Sequence, residues 1–385
     1  MDERLKFVAR LLDGEKMAPM CREFGISRVT GYKIFNRYKQ TGLEGLHDRS
    51  RRPYRQANQL PYQVERLILQ IKKEHSTWGA PKIRDKVIRE FSMLKPPAKS
   101  TIHAVLDRHG LVKRKKRRRF PKLQGTDRHH VTDPNLLWCA DYKGEFMLGT
   151  KQYCYPLTVT DYSSRYLLCC EGLPSTRTDL AFTVFERTFE EHGLPVAIRT
   201  DNGSPFGSGN SLFGLTRLSV WWLRLGINLE RIQPGCPQQN GRHERMHLTL
   251  KQDATKPASF NFLQQQERFD EFIEVYNNER PHQALKGRYP GDLYTPSIRQ
   301  YRPPDEPQYP FHDRTVRVTN CGRICIGKRK ISLSRSFAGQ MVGIREVEDN
   351  IWVVSFMDYD LGFFDHEEGR VEPTANPFVT LPANV

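Results

Sequence analysis

The sequence predicts a multidomain chain that joins two helical units in tandem, an α/β core and a small all-β module at the end. Three observations predict it. Apolar residues at helical spacing fill the N-terminal part, β-rich runs at hairpin spacing begin near Asn135 and give way to alternating helix and strand signals, and short β-rich runs between Gly and charged turns occupy Thr315 to Val371. The 385 residues suffice for roughly two to four domains with their own cores.

A formal net charge of +16 calls for a polyanionic partner, nucleic acid first, because such an excess otherwise repels itself. No stretch approaches the roughly 20 apolar residues of a spanning helix, and the charged start MDERLKF is unlike a signal peptide. The expectation is a soluble, cytoplasmic protein with no membrane partner. The eight cysteines are scattered without C-x-x-C or zinc-finger spacing, so reduced thiols are expected, with the adjacent Cys169 and Cys170 acting as small buried hydrophobes.

The first unit spans residues 1–47. Leu5, Val8, Ala9 and Leu12 form an i, i+3, i+4, i+7 stripe closed by Gly14, Ala18 to Glu23 make a second short helix, and Ser27 caps a third. This is helix-turn-helix shape. On the third helix Arg28, Thr30, Lys33 and Arg37 are left to face outward, with Val29, Phe35 and Tyr38 inward. Such a helix fits a DNA major groove, the alternative being a helical bundle with a solvated basic face.

Gly42 to Asn58 are rich in Arg, Gly and Ser, and residues 48–59 read as a linker. Over 60–112 a second helix-turn-helix unit follows, with the stripe Val64, Leu67, Ile68, Ile71, then Pro81 opening a helix that carries Ile83, Val87 and Phe91, and Ser100 capping one with Ile102, Val105 and Leu106 that Gly110 ends. The basic linker 113–134 contains Lys113, Arg114, Lys115, Lys116, Arg117, Arg118 and Arg119 in an unbroken run, which is a solvated tail or a phosphate contact.

Over 135–302 the pattern is three strands, helix, strand, helix, strand, helix, the order of a ribonuclease-H-like α/β fold. Leu180, Ala181, Val184, Phe185, Thr188 and Phe189 trace its first helix, and the stretch Ser204 to Leu215 is irregular. The Pro-rich segment 303–313 is a linker, and 314–385 form a small β-barrel and tail.

Within the core, Pro234 to Gln252 carries two incompatible readings. His243, Glu244 and His247 spell H-E-x-x-H, a zinc-metalloprotease pattern. Alternatively Glu244 joins upstream carboxylates as the third ligand of a divalent-metal site. Asp141 in LLWCADYKGEF, Asp201 in AIRTDNGSPF and Glu244 in PGCPQQNGRHERMH, together with YNNERPHQAL (Tyr276 to Leu285), resemble the Asp-Asp-Glu motifs of the retroviral-integrase superfamily, above all bacterial insertion-sequence transposases of the DDE type. The resemblance covers nearly the whole chain and leaves the protease reading without a role for Asp141, Asp201 or the basic charge.

What the resemblance implies is a transposase that binds terminal inverted repeats of a mobile element in double-stranded DNA, hydrolyses the ends to free 3′-OH groups and joins them to target DNA. Asp141, Asp201 and Glu244 would be catalytic and hold Mg²⁺ or Mn²⁺, two ions about 3.5 to 4 Å apart. A homo-oligomer, at least a dimer, and association with the bacterial nucleoid follow. Without cations three clustered carboxylates repel, so the empty site is expected to be protonated in part, strained or mobile. The gap from Asp201 to Glu244 is longer than usual for these enzymes, with the extra length in Ser204 to Leu215. His247 or Leu248 shares a helix face with Glu244 and Lys251; Lys251 is expected on a phosphate, and Gln238, Gln239 and Asn240 near the scissile bond. Glu145 and Asp161 are competing carboxylates. A DNA-binding regulator without catalysis is the remaining alternative.

Overall fold

The structure, a computed structural model, describes residues 2–48, 60–91, 95–112, 131–209, 211–233, 237–326, 329–365 and 371–378. The cationic run Lys113–Arg119 lies outside the described residues. Contacts divide the chain into two units, Met1–Tyr62 and Gln63–Val385.

The first unit holds α1 (Asp2–Leu12), α2 (Met17–Glu23) and α3 (Arg28–Thr41). Its core is Phe7, Val8, Met20, Cys21 and Leu46. The stripe expected on α1 is therefore rotated: Leu5 and Leu12 are exposed, and Phe7 packs edge-on against Phe24 with ring centroids 5.4 Å apart. The aromatic ring buries more area than either leucine and decides the phase of the helix. Ser27 does cap α3, its hydroxyl accepting the Thr30 N–H at 3.1 Å. Gly31 lies where α3 crosses α2; a Cβ there would stand 2.6 Å from Cys21 Sγ, so the close crossing requires glycine. Phe35 and Tyr38 pack against the core, whereas Val29, expected inward, is 64% exposed.

The second unit opens with α4 (Tyr62–Glu74), α5 (Ala80–Glu90) and α6 (Lys99–Arg108). They bury Ile68, Ile71, Trp78, Ile83, Val87, Ile102, Val105 and Leu106. Pro81 stands in the first turn of α5, where its missing N–H costs no helical hydrogen bond. The cap of α6 is Ala98 rather than Ser100, without a side-chain hydrogen bond.

The α/β core contains β1 (Leu137–Tyr142), β2 (Phe146–Met147), β3 (Tyr153–Asp161), β4 (Leu167–Leu173), α7 (Thr178–His192), β5 (Ala197–Thr200), α8 (Arg217–Arg224), β6 (Asn228–Arg231), α9 (Gly241–Asp253) and α10 (Phe262–Glu274). The strands lie in the order β4, β3, β1, β5, β6, with β2 paired to β3. β3 is antiparallel to β1 and β4, and β1, β5 and β6 are mutually parallel. This order and these directions are those of the ribonuclease-H-like α/β fold expected from the sequence.

Alternation along the strands sorts side chains to opposite faces. Cys169 joins the cluster with Trp138, Ala140, Leu157, Val159, Phe185 and Phe189, while the next residue, Cys170, joins Met246, Leu250, Phe269 and Tyr276. Neither is in a disulfide. The irregular stretch after Asp201 is not loose: Phe206 is buried in the core, 5.8 Å from the Tyr142 ring.

α10 runs into a π-helical turn, Val275–Glu279. From this element two side-chain amides pair with the outer edge of β4. Asn277 accepts the Leu167 N–H and donates to its carbonyl, both at 2.9 Å, and Gln266 accepts from Gly172 N at 2.9 Å and donates to Cys170 O at 3.0 Å.

The C-terminal strands are β7 (Arg314–Arg317), β8 (Arg323–Ile326), β9 (Arg329–Ser332), β10 (Met341–Glu348), β11 (Ile351–Phe356), β12 (Tyr359–Asp365) and β13 (Glu372–Pro373). A closed barrel was expected. Among the described residues the strands instead form an open five-stranded sheet, β13-β12-β11-β10-β7, and a separate β8-β9 ribbon. Their apolar faces run on into the α/β core: Val342, Ile344, Phe356, Phe337 and Ile324 belong to one cluster with Phe189 and Trp222. Burial on that core covers the sheet face that closure would otherwise cover. No described helix is long and apolar enough to cross a membrane.

Asn277→Leu leaves two buried backbone groups of Leu167 without partners and is expected to destabilise the larger unit by about 1–3 kcal/mol. The urea midpoint at neutral pH checks this; a midpoint equal to the parent's would contradict the edge-pairing role.

Candidate active site

Asp141 lies near the end of β1, and Asp201 follows directly on β5, the parallel neighbour of β1. Parallel pairing carries both to the same end of the sheet. Glu244 stands in the first turn of α9 and is exposed. Burial pushes the Asp141 carboxyl up to about 7, helped by the charges of Asp201 and Glu244 and opposed by the Tyr142 N–H and the Lys143 ammonium. Three acidic groups far apart in sequence thus feel one another's charge. Asp201 Oδ1 also accepts the Gly203 N–H at 3.2 Å, so the residue shapes its turn as well. Among the described residues no three His, Cys, Asp or Glu side chains are gathered tightly enough to hold a metal ion. The donor chemistry nevertheless fits a hard divalent cation, since carboxylate oxygens are its preferred ligands and a cation would offset both the burial and the like charge that raise Asp141.

The two imidazoles of H-E-x-x-H turn away from Glu244 into the protein, 1% and 8% exposed at His243 and His247. Thr158, the register partner of Asp141, receives both: its Oγ1 lies 2.8 Å from His243 Nε2 and 2.7 Å from His247 Nε2, and donates to the Asp141 carbonyl at 3.0 Å. With its only proton so used, the Thr158 hydroxyl accepts from the two rings. Thr160 Oγ1 then meets His243 Nδ1 at 2.8 Å. Burial drives His243 well below its ordinary value and His247 to about 3. His247 is neutral, so its 3.9 Å approach to Asp141 Oδ2 is not an ion pair. The rings anchor α9 to β3, and the zinc reading fails on orientation: Glu244 faces solvent while both imidazoles face threonines.

Leu248 and Lys251 are exposed with Glu244, and His247 is not. Lys143 is half-buried near Asp141; burial and the charges of Lys251 and Lys256 lower its pKa. Gln239 closes the turn before α9, its Oε1 accepting the Gln233 N–H at 2.9 Å and its carbonyl accepting Arg199 Nη1 at 3.1 Å. Asn240 is buried, and its Oδ1 has no hydrogen-bond partner among the described residues. The side chain of Gln238 lies outside the described residues. Asp161 is a turn anchor, accepting the N–H groups of Asn135 and Ser164, each at 2.8 Å. Glu145 is exposed. Sequence reasoning missed Thr158 and Thr160; the available signal was two threonines at period two in an otherwise apolar strand.

On α3, Arg28, Thr30 and Lys33 are exposed. Arg37 instead donates to the His47 carbonyl at 2.8 Å and so helps close its own unit.

Comparison with known proteins follows the same division. An integrase core domain family matches residues 131–237 and a second of that description matches 225–290; helix-turn-helix and homeodomain-like families match 3–54 and 30–106. The chain carries an integrase core domain behind helix-turn-helix domains. With this core it is similar to bacterial insertion-sequence transposases of the DDE superfamily, as expected from sequence. An uncharacterized 39.2 kDa protein of insertion element IS476 from Xanthomonas euvesicatoria is 23% identical over 298 residues, 75% of this chain and 80% of the relative. An uncharacterized 31.7 kDa protein of element IS407 from Burkholderia multivorans is 24% identical over 212 residues, 50% of this chain and 73% of its own length. The Gag-Pol polyprotein of baboon endogenous virus is 32% identical over 123 residues, 32% of this chain and 7% of the polyprotein. Among solved structures, the HTLV-2 integrase catalytic core in complex with magnesium aligns over 42% of this chain and 98% of its own at 15% identity, with a TM-score of 0.34.

His282, in the segment that follows α10 and its π turn, is pushed down to about 3, first by burial and then by the charges of Arg280, Lys82 and Arg165. A base whose folded pKa lies below its unfolded value gives full stability above the unfolded value, near 6.5, and loses it as pH falls towards the folded one, because the unfolded chain takes the proton first. The contribution lost by pH 5 is roughly 2 kcal/mol. His282→Gln is expected to flatten the fall in stability between pH 7 and pH 5; an unchanged slope in denaturant titrations would contradict this.

Proposed function

We propose that the chain is a DNA transposase that binds the terminal inverted repeats of a mobile element, hydrolyses the ends to free 3′-OH groups and joins them to target DNA by transesterification. One observation carries the reading: Asp141 on β1, Asp201 directly after the parallel β5 and Glu244 in the first turn of α9 lie near enough for the charges of Asp201 and Glu244 to add to the burial that raises Asp141 to about 7. Asp141, Asp201 and Glu244 would hold Mg²⁺ or Mn²⁺, two ions, which when bound supply Lewis acidity at phosphate oxygens and an activated water. The chain's own residues set the frame. The β1-β5 pairing fixes the two aspartates relative to each other, and the His243 and His247 anchors fix the face that α9 turns to the substrate. Lys251 and Lys143 favour phosphate at its edge, and Gln239 and Asn240 line the turn before α9. Arg28, Thr30 and Lys33 are the DNA-facing residues of α3. The linker Lys113 to Arg119 adds sequence-independent phosphate contacts. Two DNA ends must be held together during joining, which calls for at least two copies of the chain.

The reading is tested with DNA carrying the element's ends. Asp201→Asn should lower Mg²⁺- or Mn²⁺-dependent cleavage more than about 100-fold, beyond the loss typical of outer-sphere partners, with end binding preserved. Cleavage at the parent rate would refute it, and end binding without cleavage in the parent protein would favour a regulator. Replacing Lys113, Lys115, Arg117 and Arg119 by Gln should flatten the plot of log affinity against log salt by about 0.9 for each phosphate left unneutralised; a parallel line would remove the linker from the interface.

A further inference from the structure

The motif Tyr276–Leu285 is not absorbed by the chemistry above, yet its polar side chains are engaged on three sides. Towards the sheet, Asn277 pairs with the edge of β4. Towards α9, Arg280 Nη1 lies 3.1 Å from Asp253 Oδ2 and Nη2 donates to Thr249 Oγ1 at 3.4 Å. Both partners lie on α9, the helix whose first turn carries Glu244.

The third side faces α5. Lys82, Lys86 and Arg89 are spaced four and three apart and so share one face of that helix. Lys86 is only 6% exposed, and its Nζ lies 2.8 Å from Glu279 Oε2, which His75 Nε2 also approaches at 3.4 Å. The Arg89 guanidinium forks onto the Asp292 carboxylate and covers the Tyr289 ring at 3.9 Å. Lys82 is pushed down to about 7 by burial and by the charges of Arg280 and, less, Arg245 on α9, with Asp253 opposing. Gly287 completes the fit, a Cβ there standing 3.1 Å from Asp85 Oδ2.

We propose that Glu279 and Arg280 act as positioning residues, a two-jointed tie through which the helical unit α4–α6 sets the placement of α9 and hence of Glu244. One joint is Lys86–Glu279, the other Arg280–Asp253, and adjacency in the chain links them. Several features favour a tie over incidental surface pairing. Lys86 is almost wholly buried, and removing Glu279 takes away the nearer of its two carboxylates, leaving only Glu90 Oε1 at 3.2 Å on its own helix. The segment is a π turn, a rare geometry that here brings consecutive side chains to bear on different neighbours. Asn277 fixes its base to the sheet that carries Asp141. The proposal rests on the reading of α4–α6 as a DNA-binding unit and of Glu244 as catalytic, but its first test needs neither.

That test is amide hydrogen exchange over α9 in the whole 385-residue chain. Glu279→Lys should raise exchange across Gly241–Asp253 by about tenfold or more through local opening, and the swap Lys86→Glu/Glu279→Lys should recover protection. Unchanged protection in Glu279→Lys, or a loss that the swap does not recover, overturns the tie. A milder variant, Glu279→Gln, keeps the test valid should the charge reversal prevent folding, with the same expectation in smaller measure. In single-turnover cleavage at saturating end DNA, Glu279→Lys should be about tenfold or more slower, as small misplacements of catalytic groups cost, while end affinity changes far less. Affinity falling in step with cleavage would mean simple detachment of the helical unit and would overturn the proposal. A parent protein that neither binds nor cleaves ends would refute the functional reading while the exchange result still decides the tie.

Discussion

Like charge held in one place by a rigid frame is the constraint on which the α/β core of this protein turns. Asp141 is fixed by a central strand with neighbours on both sides, Asp201 by the strand next to it, and Glu244 by a helix pinned to the sheet. The charges of Asp201 and Glu244 add to the burial that raises the proton affinity of Asp141, so part of the repulsion is stored there. A site of this kind is paid for by the fold around it, chiefly the large apolar cluster on the opposite face of the same sheet. The chemistry proposed for the chain uses that stored repulsion as its affinity for cations.

The anchoring of α9 follows from the same constraint. A helix that presents an exposed carboxylate near two others needs a firm hold on its inner face, and an apolar face alone resists sliding poorly. Two neutral imidazoles on two threonine hydroxyls provide directional contacts instead. Directional bonds fix rotation about the helix axis as well as distance, at the cost of keeping both rings uncharged.

Much of this was legible in the residues. The strand-helix order, the amphipathic face of α7 and the Ser27 cap follow from local periodicity and capping chemistry, which tertiary packing left intact. The phase of α1 was not, because Leu5, Phe7 and Val8 all satisfy a helical stripe and only packing against Phe24 chooses between them. Closure of the C-terminal sheet was beyond local signals too, since strand patterns state which face is apolar but not what covers it. At the site, the acidic residues were nameable from their motifs, while the roles of His243 and His247 depend on threonines more than eighty residues away in sequence.

The amides of Gln266 and Asn277 along β4 have a consequence for how such chains meet. A sheet edge with free N–H and carbonyl groups invites another chain to add a strand, without regard to which chain it is. Here that invitation is withdrawn at Leu167, Cys170 and Gly172 by side chains of the same molecule. Copies crowded onto one nucleic acid cannot fuse through this border into a continuous sheet. Their association is left to surfaces where side chains discriminate, which is the kind of contact that can form in a defined number and come apart again.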